Sequence, residues 1–276
     1  MIDLHLHTTA SDGRSTPEAL IAEVSRAGCH TIAVTDHDTT DGLTAARRAA
    51  EAAGLTFFDG IEMTAVDEGR DVHILGYFFD PGHAGLATFL AAQRARRRER
   101  LVAMADQLAR AGAPVEVETV LALAPPGKSL GRPALAQALV AAGFVRDVAE
   151  AFDRYLAEGR PGYASRDGAS PALIVEQIRA AGGVASMAHP GKLKKDEIIG
   201  PMVEAGLAAI EVFHPDHAPE DRARYQQIAA RFGLLITGGS DYHGPGSGRS
   251  DGLGVVSLPG EALAAVLAHV ERLRHR

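Results

Sequence analysis

Near the amino terminus, His5 and His7 alternate with Ile2, Leu4 and Leu6. Apolar residues at every second position predict a strand. The two imidazoles then share one face, about 7 Å apart by strand rise, within reach of a single metal ion. The same residue types recur where later apolar runs end. Eight of the twelve histidines (His5, His7, His37, His73, His189, His214, His217 and His243) stand in, or just after, predicted strands. Carboxylates accompany them at Asp12, Asp36, Glu62 and Asp241. In parallel α/β barrels, side chains at the carboxyl ends of strands converge on one face. Imidazole with carboxylate suits Zn, Mn or Fe and disfavours a soft-metal site. A lone His-x-His is weak evidence for a ligand pair; the recurrence points to a polynuclear metal site.

The elements that must position these residues follow a βα rhythm. Thr16-Pro17 caps a helix to about Ala27, and Gly28 ends it. Thr31–Val34 is a β-branched strand running into Thr35-Asp36-His37-Asp38, and Thr40–Ala53 is a second helix. Leu55–Phe58 and Val72–Phe79 are the next strands, the first leading to Glu62 and the second carrying His73. The rhythm resumes at a helix capped by Ser170-Pro171. Strands at Val184–Met187, Ala209–Phe213, Leu234–Thr237 and Val255–Leu258 follow, with helices between them and a last helix from Gly260. Short alternating units of this kind build a parallel sheet. Between these halves the sequence is helical, beginning with a long helix from about Leu86 to Ala111. Its arginine run (Arg94, Arg96, Arg97, Arg98, Arg100) reads as a solvated face. Residues 1–98 and 164–276 are therefore expected to form the α/β body, and 99–163 a helical insert acting as a lid or substrate domain.

Composition narrows the function further. The chain has 276 residues, a length ordinary for a single α/β barrel. Its net charge, 28 − 35 = −7, disfavours a long sequence-blind nucleic-acid groove, which needs a basic excess. It leaves room for small phosphorylated substrates, which need only local cations. Cys29 is the sole cysteine, so neither an intramolecular disulfide nor a thiolate zinc cluster is expected. There is no secretory leader pattern and no membrane-length apolar run, so the expected location is cytoplasmic, with no membrane partner.

In order, His5-x-His7, Asp12, Thr35-Asp36-His37, Gly60-x-Glu62, His73, Ala188-His189-Pro190 and Ser240-Asp241-x-His243 resemble the PHP (polymerase and histidinol phosphatase) family. The resemblance implies a distorted (β/α)7 barrel with an inserted small helical domain and two or three divalent metals, Mn first, with Fe or Zn as alternatives. It implies one ion on His5, His7, Glu62 and Asp241, with Glu62 bridging to a second on His73 and His189. A third would lie on Asp12, His37 and His243. Asp36 would support His37, and His214 would contact a substrate phosphate or a metal. The implied reaction is phosphate-ester hydrolysis by a hydroxide that metal binding makes available at neutral pH. No nucleophile elbow or P-loop is present to suggest a covalent route.

The helical insert and Ser129-Leu-Gly-Arg-Pro133 resemble a branch of stand-alone nucleotide phosphoesterases. By that resemblance Arg132 and Ser129 join His214 as substrate-binding residues, Arg132 as a bidentate fork for a phosphate away from the metals. The implied substrate is a nucleoside 3′,5′-bisphosphate or a nucleoside monophosphate. Alternatives are 5′–3′ trimming of short RNA oligonucleotides and a histidinol-phosphate-type phosphatase. The branch commonly has histidine two residues after the arginine; Ala134 stands here. Two other readings compete. An amidohydrolase-type enzyme also begins with His-x-His, but Glu62 takes the place where that superfamily often uses a modified lysine. A metal-stabilised binding module without catalysis is the other.

Overall fold

The structure, a computed structural model, describes residues 1–122, 131–165, 167–247 and 253–275. Ser129 lies outside the described residues. The chain divides into two compact units, residues 1–89 with 169–276, and residues 90–168.

The first unit begins with β1 (Ile2–Asp3), α1 (Pro17–Arg26), β2 (Thr31–Val34) and α2 (Leu43–Ala52). Thr16 caps α1 as its composition predicts: its side chain accepts from the Ala19 N–H, Pro17 occupies the first turn, and Gly28 leaves in a left-handed conformation (φ +84°). Leu20, Ile21 and Val24 are the buried face of α1. Each such side chain contributes roughly 1.5–3 kcal/mol through burial.

The βα rhythm then breaks at a hairpin. β3 (Thr56–Asp67) runs nine residues beyond Phe58, where the sequence pattern ends it, and pairs antiparallel with β4 (Arg70–Tyr77). The two-residue turn, Glu68-Gly69, has positive φ at both positions (+47° and +77°). That is the backbone a tight hairpin needs to match strand twist. No crossover helix is required, because β4 is reversed.

The boundary between the units falls within α3 (Ala84–Arg110), and the second unit begins at Leu90. It contains α4 (Val117–Ala122), α5 (Arg132–Ala141), α6 (Val148–Ala151) and a π-helical turn at Phe152–Leu156. Leu101, Met104, Leu108, Leu135, Leu139 and Leu156 form its core. The arginine run is not uniformly solvated. Arg94, Arg97 and Arg100, at three-residue spacing, are half-buried, whereas Arg96 and Arg98 are exposed. Arg100 donates twice to the Ala164 carbonyl and lies over the Tyr163 ring.

The first unit continues with α7 (Pro171–Ala180), β5 (Val184–Met187), α8 (Pro190–Leu193), α9 (Ile199–Glu204), β6 (Ala209–Phe213), α10 (Pro219–Phe232), β7 (Leu235–Gly238) and α11 (Gly260–Arg274). β4 is antiparallel to β5 as well as to β3; every other strand pairing is parallel. The seven strands lie in sequence order and close back on themselves. Leu4 N–H donates to Gly238 O, and Leu6 bridges Tyr242 in parallel. Closure depends on Gly239: a Cβ there would stand 2.4 Å from the backbone N of His5. The result is a nearly closed, distorted seven-stranded α/β barrel. Residues 255–258, predicted as a last strand, are not one. Leu258 makes a single ladder-like bond to Ile2 O while Ser257 Oγ takes the Ile2 N–H, so side-chain capping replaces pairing. Among the described residues no helix is long and apolar enough to cross a membrane.

Candidate metal centre

Strand ends and the β3–β4 hairpin bring the sequence-predicted ligands together. His5 and His7 follow β1, with ring centroids 5.1 Å apart. His37 follows β2 and bridges Glu62 of β3. In the β3–β4 register His73 faces Thr64, two residues from Glu62, so the unforeseen hairpin is what brings this pair together. His189 follows β5, and Asp241 and His243 follow β7. Asp38 (+50°), beside His37, and His189 (+25°) and Asp241 (+53°) themselves hold positive φ. Such conformations are costly and cluster at functional sites.

Glu62 is the centre of the arrangement. Its Oε2 lies 3.2 Å from Nε2 of His5, Nε2 of His7 and Nδ1 of His37. Its Oε1 lies 2.8 Å from His73 Nδ1 and 3.0 Å from His189 Nε2. One carboxylate thus turns a different oxygen to each of two histidine sets. Asp241 Oδ1 stands 3.5 Å from His5 Nε2 and 3.3 Å from His7 Nε2. Asp12, which is partly exposed, lies 3.3 Å from His243 Nε2, and 3.8 Å from both His37 Nε2 and His7 Nδ1. Three groups able to hold an ion result: His5, His7, Glu62 and Asp241; His37, Glu62 and His73; and His7, Asp12, His37 and His243. His7 and His37 each belong to two groups, an overlap the motif order does not reveal.

The donor set fits divalent cations. Both ring nitrogens of His7 and the Nδ1 atoms of His37 and His73 are buried and make no hydrogen bond. Buried polar atoms are ordinarily satisfied, because leaving one unpaired costs about 1–3 kcal/mol. Separations near 3 Å between ring nitrogens and carboxylate oxygens are those of neighbouring ligands on an ion bound at about 2.0–2.2 Å.

The protonation states reinforce this. Burial is the largest influence on Glu62, His5, His7, His37 and His189. For Glu62 it pushes upward, but His37, His73 and His5 hold the carboxyl well below its usual range. Burial pulls His5 and His7 down. The carboxylates of Glu211, Glu62 and Asp241 nevertheless hold His5 well above the usual value, and Asp241 and Glu62 bring His7 to about 9. Burial prevails at His189, pulled to about 4, and at His37, pulled well below its usual range. The stability that a protonated His7 gives the metal-free protein is complete below its ordinary value of 6.5 and is lost as pH rises through about 9. Loading metal-free protein with Zn²⁺ at pH 7 should accordingly release roughly two protons, from His5 and His7, as the cation replaces them. An unbuffered titration measures this, and release of none would mean the cation does not take these nitrogens.

The remaining predicted residues fall elsewhere. Asp36 is buried and accepts from the Thr8 N–H (2.8 Å), the Thr8 hydroxyl (2.7 Å) and the Ser11 hydroxyl (2.6 Å). It braces the loop that leads to Asp12 and has no hydrogen bond to His37. His214 Nδ1 accepts from the Asp216 N–H, so its Nε2 carries the proton and faces Asp241 Oδ2 at 3.4 Å. His217 donates from Nδ1 to Val212 O and accepts at Nε2 from Gly191 N–H, a structural role. Arg132 stands over the rings of Phe152 and Tyr163, at 5.7 and 6.0 Å from their centroids. It is half-buried and has no carboxylate partner among the described residues.

Two residues close to the ligands were not singled out from the sequence. Lys192 Nζ lies 2.8 Å from Asp241 Oδ2 and 3.0 Å from Asp216 Oδ2. Glu211 is fully buried beside His5 and His189. Its signal was available: a lone carboxylate inside the apolar strand Ala-Ile-Glu-Val-Phe.

Residues 3–111 match the PHP domain family. A phosphoribosyl 1,2-cyclic phosphate 1,2-diphosphodiesterase of Eggerthella lenta is 39% identical, the alignment covering 88% of this chain and 94% of that protein. A 3′,5′-nucleoside bisphosphate phosphatase of Chromobacterium violaceum is 35% identical over 91% of this chain and 90% of its own. A 5′-3′ exoribonuclease of Escherichia coli is 34% identical over 88% and 85%. The crystal structure of a Bifidobacterium adolescentis protein assigned as a metal-dependent phosphoesterase superposes with a TM-score of 0.86 at 36% identity, covering 96% of this chain and 95% of that one.

Proposed function

Because the chain belongs to the PHP family of metal-dependent phosphoesterases, we propose that it is a nucleotide phosphatase acting on nucleoside 3′,5′-bisphosphates or nucleoside monophosphates. The observation that carries the chemistry is Glu62, with one oxygen on each of two histidine sets. His5, His7 and Asp241 would hold one ion with Glu62, His73 and His189 a second, and Asp12, His37 and His243 a third. Mn is the first expectation for these sites, with Fe or Zn as alternatives. Bound ions supply a lowered water pKa and neutralise charge on the phosphoryl oxygens. The protein's own part is to hold imidazoles and ionised carboxylates in place: Asp241 is kept well below the usual carboxylate range by His5, His214 and His7, against the opposing effect of burial. His214, with its proton on Nε2, is oriented to donate towards Asp241 or a substrate oxygen.

The substrate reading rests on Arg132 and on the relative that is a bisphosphate phosphatase. A half-buried guanidinium with rings against it and no carboxylate partner among the described residues is suited to binding a phosphate. Arg132→Ala should lower kcat/KM for a nucleoside 3′,5′-bisphosphate about 30- to 150-fold, or roughly 2–3 kcal/mol, and leave p-nitrophenyl phosphate nearly unaffected. Arg132→Lys should recover only part, since a point charge does not replace the planar fork. Equal losses on both substrates would assign Arg132 to the fold instead.

Attack on a phosphodiester is the second reading, favoured by the cyclic phosphate diphosphodiesterase and exoribonuclease relatives. One screen separates the two. Mn-loaded protein is offered mononucleotides, 3′,5′-bisphosphates, a ribose cyclic phosphate and short 5′-phosphorylated RNA, and products are identified. Preferred turnover of the bisphosphate supports the proposal. Turnover of the cyclic ester or RNA with the monoesters untouched replaces it.

A further inference from the structure

β6 carries a carboxylate that none of the three metal-ligand groups uses. Glu211 is fully buried, and each of its oxygens has its own partner. Oε1 lies 3.0 Å from His5 Nδ1. An ionised carboxylate only accepts, so Nδ1 of His5 is the donor. That choice aims His5 Nε2 at Glu62 Oε2 and Asp241 Oδ1, 3.2 and 3.5 Å away. Oε2 accepts the backbone N–H of His189 at 2.7 Å. His189 sits at φ +25°, ψ +57°, where a residue with a Cβ needs its surroundings to hold it. Its ring Nε2 reaches Glu62 Oε1 at 3.0 Å. The two oxygens of Glu211 therefore reach His5 and His189, the same pair that the two oxygens of Glu62 divide between them.

We propose that Glu211 is a positioning residue that couples two neighbouring metal positions, fixing the ring of His5 for one and the backbone of His189 for the other. The inference rests on the metal-centre reading and adds a dependence between its parts. Removing Glu211 should weaken two ions together, although it touches neither. A glutamine cannot substitute, because its NH₂ would oppose one of the two N–H donors.

The test uses full-length protein stripped with a chelator and titrated with Zn²⁺ alone against a chromophoric competitor. Glu211→Gln should lower affinity about 10- to 100-fold at two positions. The ion assigned to Asp12, His37 and His243 should be retained. Glu211→Asp keeps the charge on a shorter stem and should recover the loss only in part. Wild-type protein that binds no Zn²⁺ would overturn the metal-centre reading itself. Unchanged Zn²⁺ affinity in folded Glu211→Gln, even with a lowered Tm, would overturn this inference alone, as would weakening of a single ion. Should both variants fail to fold, ¹⁵N-histidine NMR of the Zn-loaded wild type decides. His5 protonated at Nδ1 together with a slowly exchanging His189 amide supports the coupling; protonation at Nε2 or rapid exchange of that amide overturns it.

Discussion

Glu62→Ala is expected to lower kcat/KM for p-nitrophenyl phosphate by at least about 10³-fold, because Glu62 faces five histidines with two oxygens. Losing several kcal/mol of charge stabilisation corresponds to that factor, each 1.36 kcal/mol being tenfold. The variant should also hold fewer ions than the wild type, for which two or three divalent ions are expected. Metal analysis after gel filtration, with far-UV circular dichroism to confirm folding, is the check. A folded variant with full metal content would show that the carboxylate does not serve two ions. Fully active wild-type protein with one ion or none would remove the polynuclear premise.

Asp36→Ala is expected to act through the fold. Asp36 accepts three short hydrogen bonds in a buried site, and the Thr8–Asp12 loop depends on them. Hydrogen bonds to a charged group contribute about 1.5–3 kcal/mol each but are not additive, so a loss of roughly 3 kcal/mol is expected, or about 6–12 °C in Tm. Gly42 shows how closely this carboxylate is enclosed: a Cβ there would stand 2.8 Å from Asp36 Oδ2. Because the loop delivers Asp12, the ion held with His37 and His243 should be weakened too. Asp36→Asn preserves the shape and should lose less. A thermal scan and a metal titration test both parts. Lost activity with Tm and metal binding intact would instead give Asp36 a direct part in the chemistry.

Much of the site was legible without coordinates, for a physical reason. Metal ligands are restricted to a few residue types, and barrel topology places side chains at strand ends, so His5, His7, His189 and Asp241 stand out as candidate ligands by type and place. The cap at Thr16-Pro17 and the stop at Gly28 are equally local, since their hydrogen bonds close within one helical turn. What local pattern could not supply was strand direction. β4 has the same apolar content whether it runs parallel or antiparallel. The Glu68-Gly69 turn reverses it, and with it the mutual placement of Glu62 and His73. Nor could spacing say which oxygen of Glu62 meets which histidine, or that His7 faces two groups; those are distances across the barrel. Glu211 and Asp36 make the same point from opposite sides. One is a lone carboxylate in an apolar strand, given no role from the sequence, and lies against two candidate ligands. The other looked like a ligand's neighbour, and its oxygens belong to a loop. A residue's type fixes which chemistry it can do, while its partners, and hence its role, come from contacts between segments as far apart as His5 and Glu211.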